Sequence, residues 1–158
     1  MHPANQKVSD AAQALGLSIE IVTFAETTRT AQEAADAIGC ELDQIVKSLC
    51  FAVNGEPVMA LVSGTNQLDE RKLAILCGVG RKKVRRAPAE FVKDQTGFSI
   101  GGVPPFGHSQ ILPIYIDEDL LSFAEVWAAA GTPYSVFAIA PDRLEAASGG
   151  RVVVLKKG

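Results

Sequence analysis

Residues 46–63 read VKSLCFAVNGEPVMALVS, in which two apolar runs flank Asn54-Gly55. An Asn-Gly pair in this setting is typical of a β-hairpin with a type I′ turn, because both central residues of that turn need a positive φ. With a two-residue turn, Lys47 lies opposite Val62, at the end of the hairpin away from the turn. Both faces of the first strand are apolar, so we expect that strand to be buried on both sides.

The segments around the hairpin alternate between helical and extended patterns. The predicted helices cover 8–15 with Ser9 as a cap, Thr30 to Gly39 with Thr30 as N-cap and Glu33 at N3, Asp69 to Cys77, Pro88 to Gly97, 122–130, and a short segment from Pro141. The predicted strands cover 19–24, 111–116, 134–139 and 151–155. Hairpin and crossover connections are mixed in this order, which favours a mixed α+β sheet in one domain spanning 1–158.

The composition is that of an ordinary water-soluble domain. The chain has 158 residues, of which 47% are hydrophobic and 21% charged, with a formal net charge of −3. No apolar run reaches the roughly 18 residues of a membrane span, and the N-terminus has no secretory signal, so we expect a cytoplasmic protein. Cys40, Cys50 and Cys77 are far apart, which argues against a disulfide framework and against zinc.

One basic segment departs from the acidic average of the chain. It contains Arg81, Lys82, Lys83, Arg85 and Arg86. Such a cluster can steer a polyanion even on an acidic protein. Composition alone favours the other interpretation, a solvated loop between two helices.

Lys47 is the first residue that points to chemistry. It shares a strand face with Leu49, Phe51 and Val53, and an ammonium in such surroundings is costly unless it meets an anion or an acceptor. One interpretation is a cation aimed into a pocket, for a phosphate or a developing oxyanion. The other is a lysine at a strand end whose ammonium reaches back to water.

The loop from Gly101 to His108, GGVPPFGH, is the second such feature. Adjacent glycines let a ligand approach the backbone closely, and their N–H groups can form an anion-binding nest. The two prolines stiffen the loop, as an oxyanion hole requires, although a tight helix-to-strand connection has the same composition. The sequence contains no assignable Ser-His-Asp order and no cluster of metal ligands, so we expect catalysis by positioning and electrostatics, without metal or cofactor.

Together these segments resemble the YbaK family, which comprises the prolyl-tRNA synthetase editing domain and its free-standing relatives, the ProXp-type deacylases. The likeness runs from about Ile19 to Leu155 and is carried by TAQEAA at 30–35, IVKSL at 45–49 and GGVPPFG at 101–107. It implies a mixed, partly closed β-sheet with helices packed around it. It also implies hydrolysis of the ester between a wrongly attached amino acid and the terminal adenosine of tRNA, with no metal and with Lys47 at the terminal nucleotide or ester.

From the resemblance we expect Lys47, Gly101 and Gly102 to fix the ester while a water or a substrate hydroxyl attacks it. We also expect the basic segment to contact tRNA phosphates. An aminoacyl-tRNA synthetase is a possible partner, whereas neither DNA nor a membrane is expected as one. The expected substrate contacts are Phe24, Thr28, Ser63, Gly64, Val103, Pro104, Phe106, Gly107 and His108.

Small amino acids such as alanine, serine, threonine or cysteine are the expected cargo. The sequence departs from the family pattern at Pro104, where many members carry Ser or Thr. That departure favours a competing hypothesis, a non-catalytic tRNA- or protein-binding module on the same fold. A small-molecule nucleotide binder is a third possibility, and the absence of a P-loop or G-x-G-x-x-G motif argues against it.

Overall fold

The structure is a computed structural model that describes residues 1–25, 27, 28 and 30–158. Its helices are α1 (Pro3–Ala14), α2 (Ala31–Ile38), α3 (Glu70–Cys77), α4 (Ala89–Thr96) and α5 (Pro141–Ser148). Its strands are β1 (Ile21–Thr23), β2 (Val46–Val53), β3 (Glu56–Ser63), β4 (Val84–Arg86), β5 (Ile114–Asp117), β6 (Val126–Ala129), β7 (Ser135–Ile139) and β8 (Arg151–Val153). Short 3₁₀ turns cover Leu42–Gln44, Arg81–Lys83 and Glu118–Ser122. This mixture confirms the predicted α+β class.

The hairpin of β2 and β3 has the predicted turn and register. Asn54 and Gly55 have φ values of 51° and 84°, as a type I′ turn requires. The two strands pair antiparallel, and Lys47 lies opposite Val62. The ammonium-bearing residue is therefore at the open end of the hairpin, next to the loop that follows β3.

The strands form two open sheets. The larger has the order β4-β2-β3-β5-β8, with β5 parallel to both β3 and β8, and the smaller has the antiparallel order β1-β7-β6. A parallel bridge between Ile45 and Trp127 joins the two sheets beside the start of β2. Because β4 pairs only with residues 51–53, the outer edge of β2 at residues 46–49 is left for the smaller sheet to approach.

The core lies on both sides of the larger sheet. On one side Val46 and Cys50 of β2 join a cluster with Phe98 and Phe137. On the other side Phe51 and Val53 pack in a cluster with Leu73 and Leu155. Phe51, Phe98, Phe137, Leu73 and Leu155 are all at most 1% exposed. This burial confirms the expectation drawn from the two apolar faces of β2.

The prediction of a helix over 122–130 is wrong, because strand β6 (Val126–Ala129) occupies this segment. Within β6, Val126 and Ala128 are fully buried and alternate with half-buried neighbours, which is the period of a strand. The strand pairs along its whole length with β7. Tertiary pairing therefore overrides the helix preference of an alanine-rich segment.

The first turns of α1 and α2 are each capped by a side chain. The Thr30 hydroxyl accepts a hydrogen bond from the Glu33 N–H at 3.0 Å, so the predicted N-cap is confirmed. Helix α1 begins earlier than predicted, because Pro3 occupies its first turn and the His2 ring caps it, whereas Ser9 lies inside the helix. Within the described residues, the helices are all too short or too polar to cross a bilayer.

Candidate active site

A cavity of about 470 Å³ opens where the uncovered edge of β2 meets the smaller sheet. Lys47 lines it from β2, and Gly101 lines it from the glycine- and proline-rich loop. The structure thus brings together the two features on which the expected chemistry depends. The other lining residues include Phe24, Thr28, Arg86, Trp127 and Tyr134.

The Lys47 ammonium is held in a fixed position. Its Nζ donates a hydrogen bond to the backbone carbonyl of Asn66, in the loop that follows β3. Burial lowers the pKa of Lys47 below its ordinary value, and the nearby positive charge of Arg86 lowers it further, whereas Asp117 acts in the opposite direction. The Lys47 side chain lines the cavity and is half-buried. Part of the hydration of the ammonium is therefore removed.

The carboxylate of Asp117 organises the loop that holds Lys47. Asp117 is fully buried at the end of β5 and accepts hydrogen bonds from the Ser63 N–H at 3.1 Å and from the Asp119 N–H at 3.0 Å. It also accepts from the Asn66 side-chain amide at 2.8 Å, and that amide donates to the Asp119 carboxylate at 2.8 Å as well. These bonds fix Asn66 and hence the carbonyl that receives the Lys47 ammonium.

Sequence reasoning did not identify Asn66 or Asp117 as part of the site. The available signal was an acidic residue directly after the apolar run Ile114–Ile116, at the end of a predicted strand. A carboxylate in that position is costly to bury unless several donors meet it. Which donors meet it depends on the parallel pairing of β5 with β3, a long-range contact that no local pattern specifies.

The two adjacent glycines have different roles. Gly101 is exposed and lines the cavity with a φ of 86°, a conformation that favours glycine. Gly102 is buried; its N–H donates to the Ser99 carbonyl at 3.0 Å and its carbonyl accepts from the Gly131 N–H at 2.9 Å. A Cβ on Gly102 would lie 2.7 Å from the Thr132 Cα. Gly102 therefore lets the loop pack against residues 131–132, while Gly101 faces the cavity.

The rest of the predicted loop does not line this cavity. Val103 and Phe106 are buried in the core, and the ring of Phe106 lies 5.6 Å from that of Phe137. Pro104 is buried too, and its carbonyl lies 2.6 Å from Nε2 of His108. Burial lowers the pKa of His108, against the opposing effect of that hydrogen bond. These contacts make the loop rigid behind Gly101.

Four more expected substrate contacts also lie elsewhere. Gly107 and His108 line a separate cavity, between the end of α1 and the end of α5. The Ser63 hydroxyl donates to the Asp43 carbonyl at 2.6 Å, and Gly64 packs against the backbone of Leu42. Of the expected substrate contacts, Phe24 and Thr28 line the cavity of Lys47.

The basic segment lies on the surface and reaches the cavity at one end. All five of its cations are exposed, and Arg81 forms a salt bridge with Glu70 at 3.0 Å. Arg86, the last residue of β4, lines the cavity, and its guanidinium lies 5.6 Å from the centre of the Phe51 ring. Across residues 1–25, 27, 28 and 30–158, no group of three or more His, Cys, Asp or Glu side chains is placed to hold a metal ion.

Comparison with known proteins gives consistent matches over most of the chain. Residues 25–147 match the model of the aminoacyl-tRNA editing domain. The chain is 33% identical over 126 residues to the uncharacterized protein YwhH of Bacillus subtilis, covering 79% of this chain and 78% of YwhH. It is 28% identical over 129 residues to EbsC of Enterococcus faecalis, a candidate Cys-tRNA(Pro)/Cys-tRNA(Cys) deacylase, covering 81% and 77% of the two chains.

A solved structure is also similar along the full length. It is the crystal structure of a candidate trans-editing enzyme for prolyl-tRNA synthetase, which superposes with a TM-score of 0.94 at 45% sequence identity. The match covers 100% of this chain and 99% of the other. The fold is thus shared along the full length of this candidate trans-editing enzyme.

Proposed function

The chain belongs to the aminoacyl-tRNA editing domain family, and from that premise we propose that it hydrolyses the ester of wrongly aminoacylated tRNA. The observation that carries the proposal is the meeting of the Lys47 ammonium and Gly101 in one cavity. A cavity of about 470 Å³ falls within the range of small-ligand sites, so it suits a terminal nucleoside with a small amino acid.

The reaction needs a positioned ester and a stabilised oxyanion. Water attacks the ester carbonyl carbon, and negative charge develops on the carbonyl oxygen. The bond to the ribose oxygen then breaks, releasing the free amino acid and a tRNA with its terminal hydroxyl restored. The Lys47 ammonium stabilises the developing charge, because it is already held by the Asn66 carbonyl before the reaction begins.

Gly101 supports the ester at close range. With no side chain, its backbone allows the aminoacyl group to lie directly against the loop. The loop needs no rearrangement, since Gly102 is anchored to Ser99 and Gly131 behind it. Such a pre-set arrangement supplies part of the barrier reduction without a strong base.

The cavity walls favour a small cargo. They include Phe24, which follows β1, Thr28, Trp127 of β6, and Tyr134, which precedes β7. Bulky aromatic walls exclude large side chains, whereas discrimination between cargoes that differ by one methylene is limited to about 10–200-fold. We propose alanine, serine, threonine or cysteine on tRNA(Pro) or a related tRNA; the name of EbsC gives cysteine on tRNA(Pro) or tRNA(Cys), and the trans-editing relative is named for prolyl-tRNA synthetase.

The basic segment gives the tRNA a second point of attachment. Its exposed cations suit phosphate contacts, which hold a nucleic acid without reading its sequence. Arg86 connects this surface to the cavity, so a bound acceptor stem would be directed toward Lys47. A prolyl-tRNA synthetase is the proposed partner that generates the mischarged substrate.

The deciding experiment is a deacylation assay of Lys47→Ala against a panel of mischarged tRNAs. We expect the variant to keep the fold by circular dichroism and to lose roughly 10²–10³ in turnover, as for the removal of one oxyanion donor. Arg143→Ala is the matched control, because it removes an exposed cation that lines neither the cavity nor the surface of the basic segment. Turnover of Lys47→Ala close to that of the wild type would refute the assignment.

A binding module without hydrolysis is the competing function. The loss of a hydroxyl at Pro104 favoured it, but Pro104 is buried and does not line the cavity. The same panel separates the two functions, because a binding module would retain mischarged tRNA without releasing the amino acid.

A further inference from the structure

A second cavity of about 400 Å³ lies beside the candidate active site. The two cavities share Phe24, Pro133 and Tyr134 as walls. A tRNA 3′ end is a continuous chain, so the nucleotide before the terminal one must lie next to the site that holds the terminal nucleoside. The second cavity has that location.

Two lysines lie at this cavity, Lys93 among its lining residues and Lys7 beside the lining residue Phe98. Lys93 lines it, and its Nζ lies 3.4 Å from the Gly97 carbonyl. The Nζ of Lys7 donates to the same carbonyl at 3.1 Å and lies 4.6 Å from the centre of the Phe98 ring, another wall of the cavity. Among the described residues the salt bridges are Arg81–Glu70 and Lys156–Asp119, so neither lysine is neutralised by a described carboxylate.

The remaining walls fit a nucleotide. Phe24 and Tyr134 offer aromatic faces, on which any base can stack without sequence preference. The first turn of α1 contributes Ala4 and Asn5 to the wall, so the positive end of that helix lies at the cavity and favours an anion. The Asn5 amide is held by the Ala130 carbonyl at 2.7 Å and the Ser135 hydroxyl at 2.8 Å, which fixes this wall.

We propose that this second cavity binds the penultimate nucleotide of the substrate's 3′ end, with its phosphate at Lys93 and Lys7 and its base against Phe24 or Tyr134. The inference rests on the proposed function, because it assumes that the terminal nucleoside occupies the cavity of Lys47. It assigns to α1 and α4 a part in substrate binding that the basic segment does not supply.

The test compares two non-hydrolysable probes by calorimetry. One is 3′-alanylamino-3′-deoxyadenosine, which contains the terminal nucleoside alone, and the other is the same compound extended at its 5′ oxygen by a cytidylyl residue that carries its own 5′ phosphate (pCpA). We expect the wild-type protein to bind the dinucleotide probe more tightly than the nucleoside probe. In Lys7→Ala/Lys93→Ala the affinity for the dinucleotide probe should fall on the order of tenfold, with the affinity for the nucleoside probe unchanged.

Salt dependence and a control variant sharpen the comparison. Losing one phosphate contact should lower the slope of log affinity against log salt by about 0.7 for the dinucleotide probe only. Arg143→Ala should leave both affinities and the slope unchanged. The single variant Lys93→Ala should lower the affinity and the salt slope of the dinucleotide probe by a smaller amount. It therefore distinguishes a lost phosphate contact from a folding defect of the double variant.

The outcomes separate the two proposals. If the double variant binds both probes as the wild type does, or loses affinity for both alike, the second nucleotide site is overturned. In either case a nucleoside affinity that depends on Lys47 leaves the proposed function standing. If the wild-type protein binds neither probe and hydrolyses no mischarged tRNA, both proposals fail.

Discussion

Replacing Asp117 by Asn tests whether the buried carboxylate positions the Lys47 ammonium. One carboxylate oxygen accepts from the Ser63 N–H and the Asn66 amide, and the other accepts from the Asp119 N–H. In the Asp117→Asn variant one of these two oxygens becomes an NH₂ group, which cannot accept. If the remaining oxygen faces Ser63 and Asn66, the variant keeps the bonds from these two residues. Its NH₂ group then faces the Asp119 N–H, so two buried donors meet without an acceptor.

The magnitude follows from that single lost acceptor. A hydrogen bond to a charged group contributes about 1.5–3 kcal/mol to the free energy of unfolding. In a chain of this size 1 kcal/mol corresponds to about 2–4 °C, so the Tm should fall by about 3–12 °C. The two retained bonds, from the Ser63 N–H and the Asn66 amide, then end on a neutral oxygen and are weaker, so the Asn66 carbonyl is held less firmly, and a misplacement of about 1 Å can cost about 10²-fold in rate.

The assay combines thermal unfolding with deacylation kinetics well below both melting temperatures. We expect kcat to fall while KM for mischarged tRNA is unchanged, because the tRNA contacts lie elsewhere. Asp117 acts to raise the pKa of Lys47, so its replacement should move the alkaline limb of the pH profile of kcat to lower pH. A purely structural role would lower Tm without moving that limb.

Asp119→Asn is the matched control for this prediction. It removes the negative charge of the exposed pair with Lys156 and leaves one oxygen to accept from the Asn66 amide, at a site where solvent screens the interaction. Its Tm should therefore change much less than that of Asp117→Asn. An Asp117→Asn protein with wild-type Tm and an unmoved alkaline limb would refute the reasoning.

Two further predictions follow from the same cavity. Gly102→Ala places a Cβ 2.7 Å from the Thr132 Cα, so we expect a loss of about 1–3 kcal/mol in unfolding free energy and weaker deacylation, measured against Gly80→Ala, where the added Cβ meets open space. An unchanged Tm for Gly102→Ala would mean that the loop is not fixed there. Arg86→Ala removes a positive charge that lowers the pKa of Lys47, so Lys47 should stay cationic to higher pH and the alkaline limb of kcat, corrected for uncatalysed hydrolysis, should move upward. A limb that stays in place or moves downward would contradict the assigned role of the Lys47 charge.

Local chemistry explains what could be predicted. The Asn54-Gly55 turn determines which residue of β2 faces which residue of β3, so the position of Lys47 followed from a short segment. The N-cap at Thr30 was equally local, because it depends on the contact between Thr30 and Glu33. Features of this kind need only the spacing of residues along the chain.

Long-range contacts explain what could not be predicted. Trp127 and Tyr134 were not expected in the cavity, because residues 122–130 were interpreted as a helix and the smaller sheet was therefore incomplete. Asn66 reaches Asp117 only because β3 and β5 are neighbours. The different fates of Gly101 and Gly102 depend on how residues 131–132 approach the loop, which the Gly-Gly pair alone does not specify.

The two sheets, which are joined by the bridge between Ile45 and Trp127, contribute different walls to the cavity. Lys47 belongs to the larger sheet, whereas Trp127 and Tyr134, the walls proposed to limit the size of the cargo, belong to the smaller sheet and its turn. On the proposed function, mutations in the smaller sheet should change which amino acid is accepted while leaving the position of Lys47 unchanged. Related proteins with a common reactive centre and divergent substrate ranges are what such a partition would produce over evolutionary time.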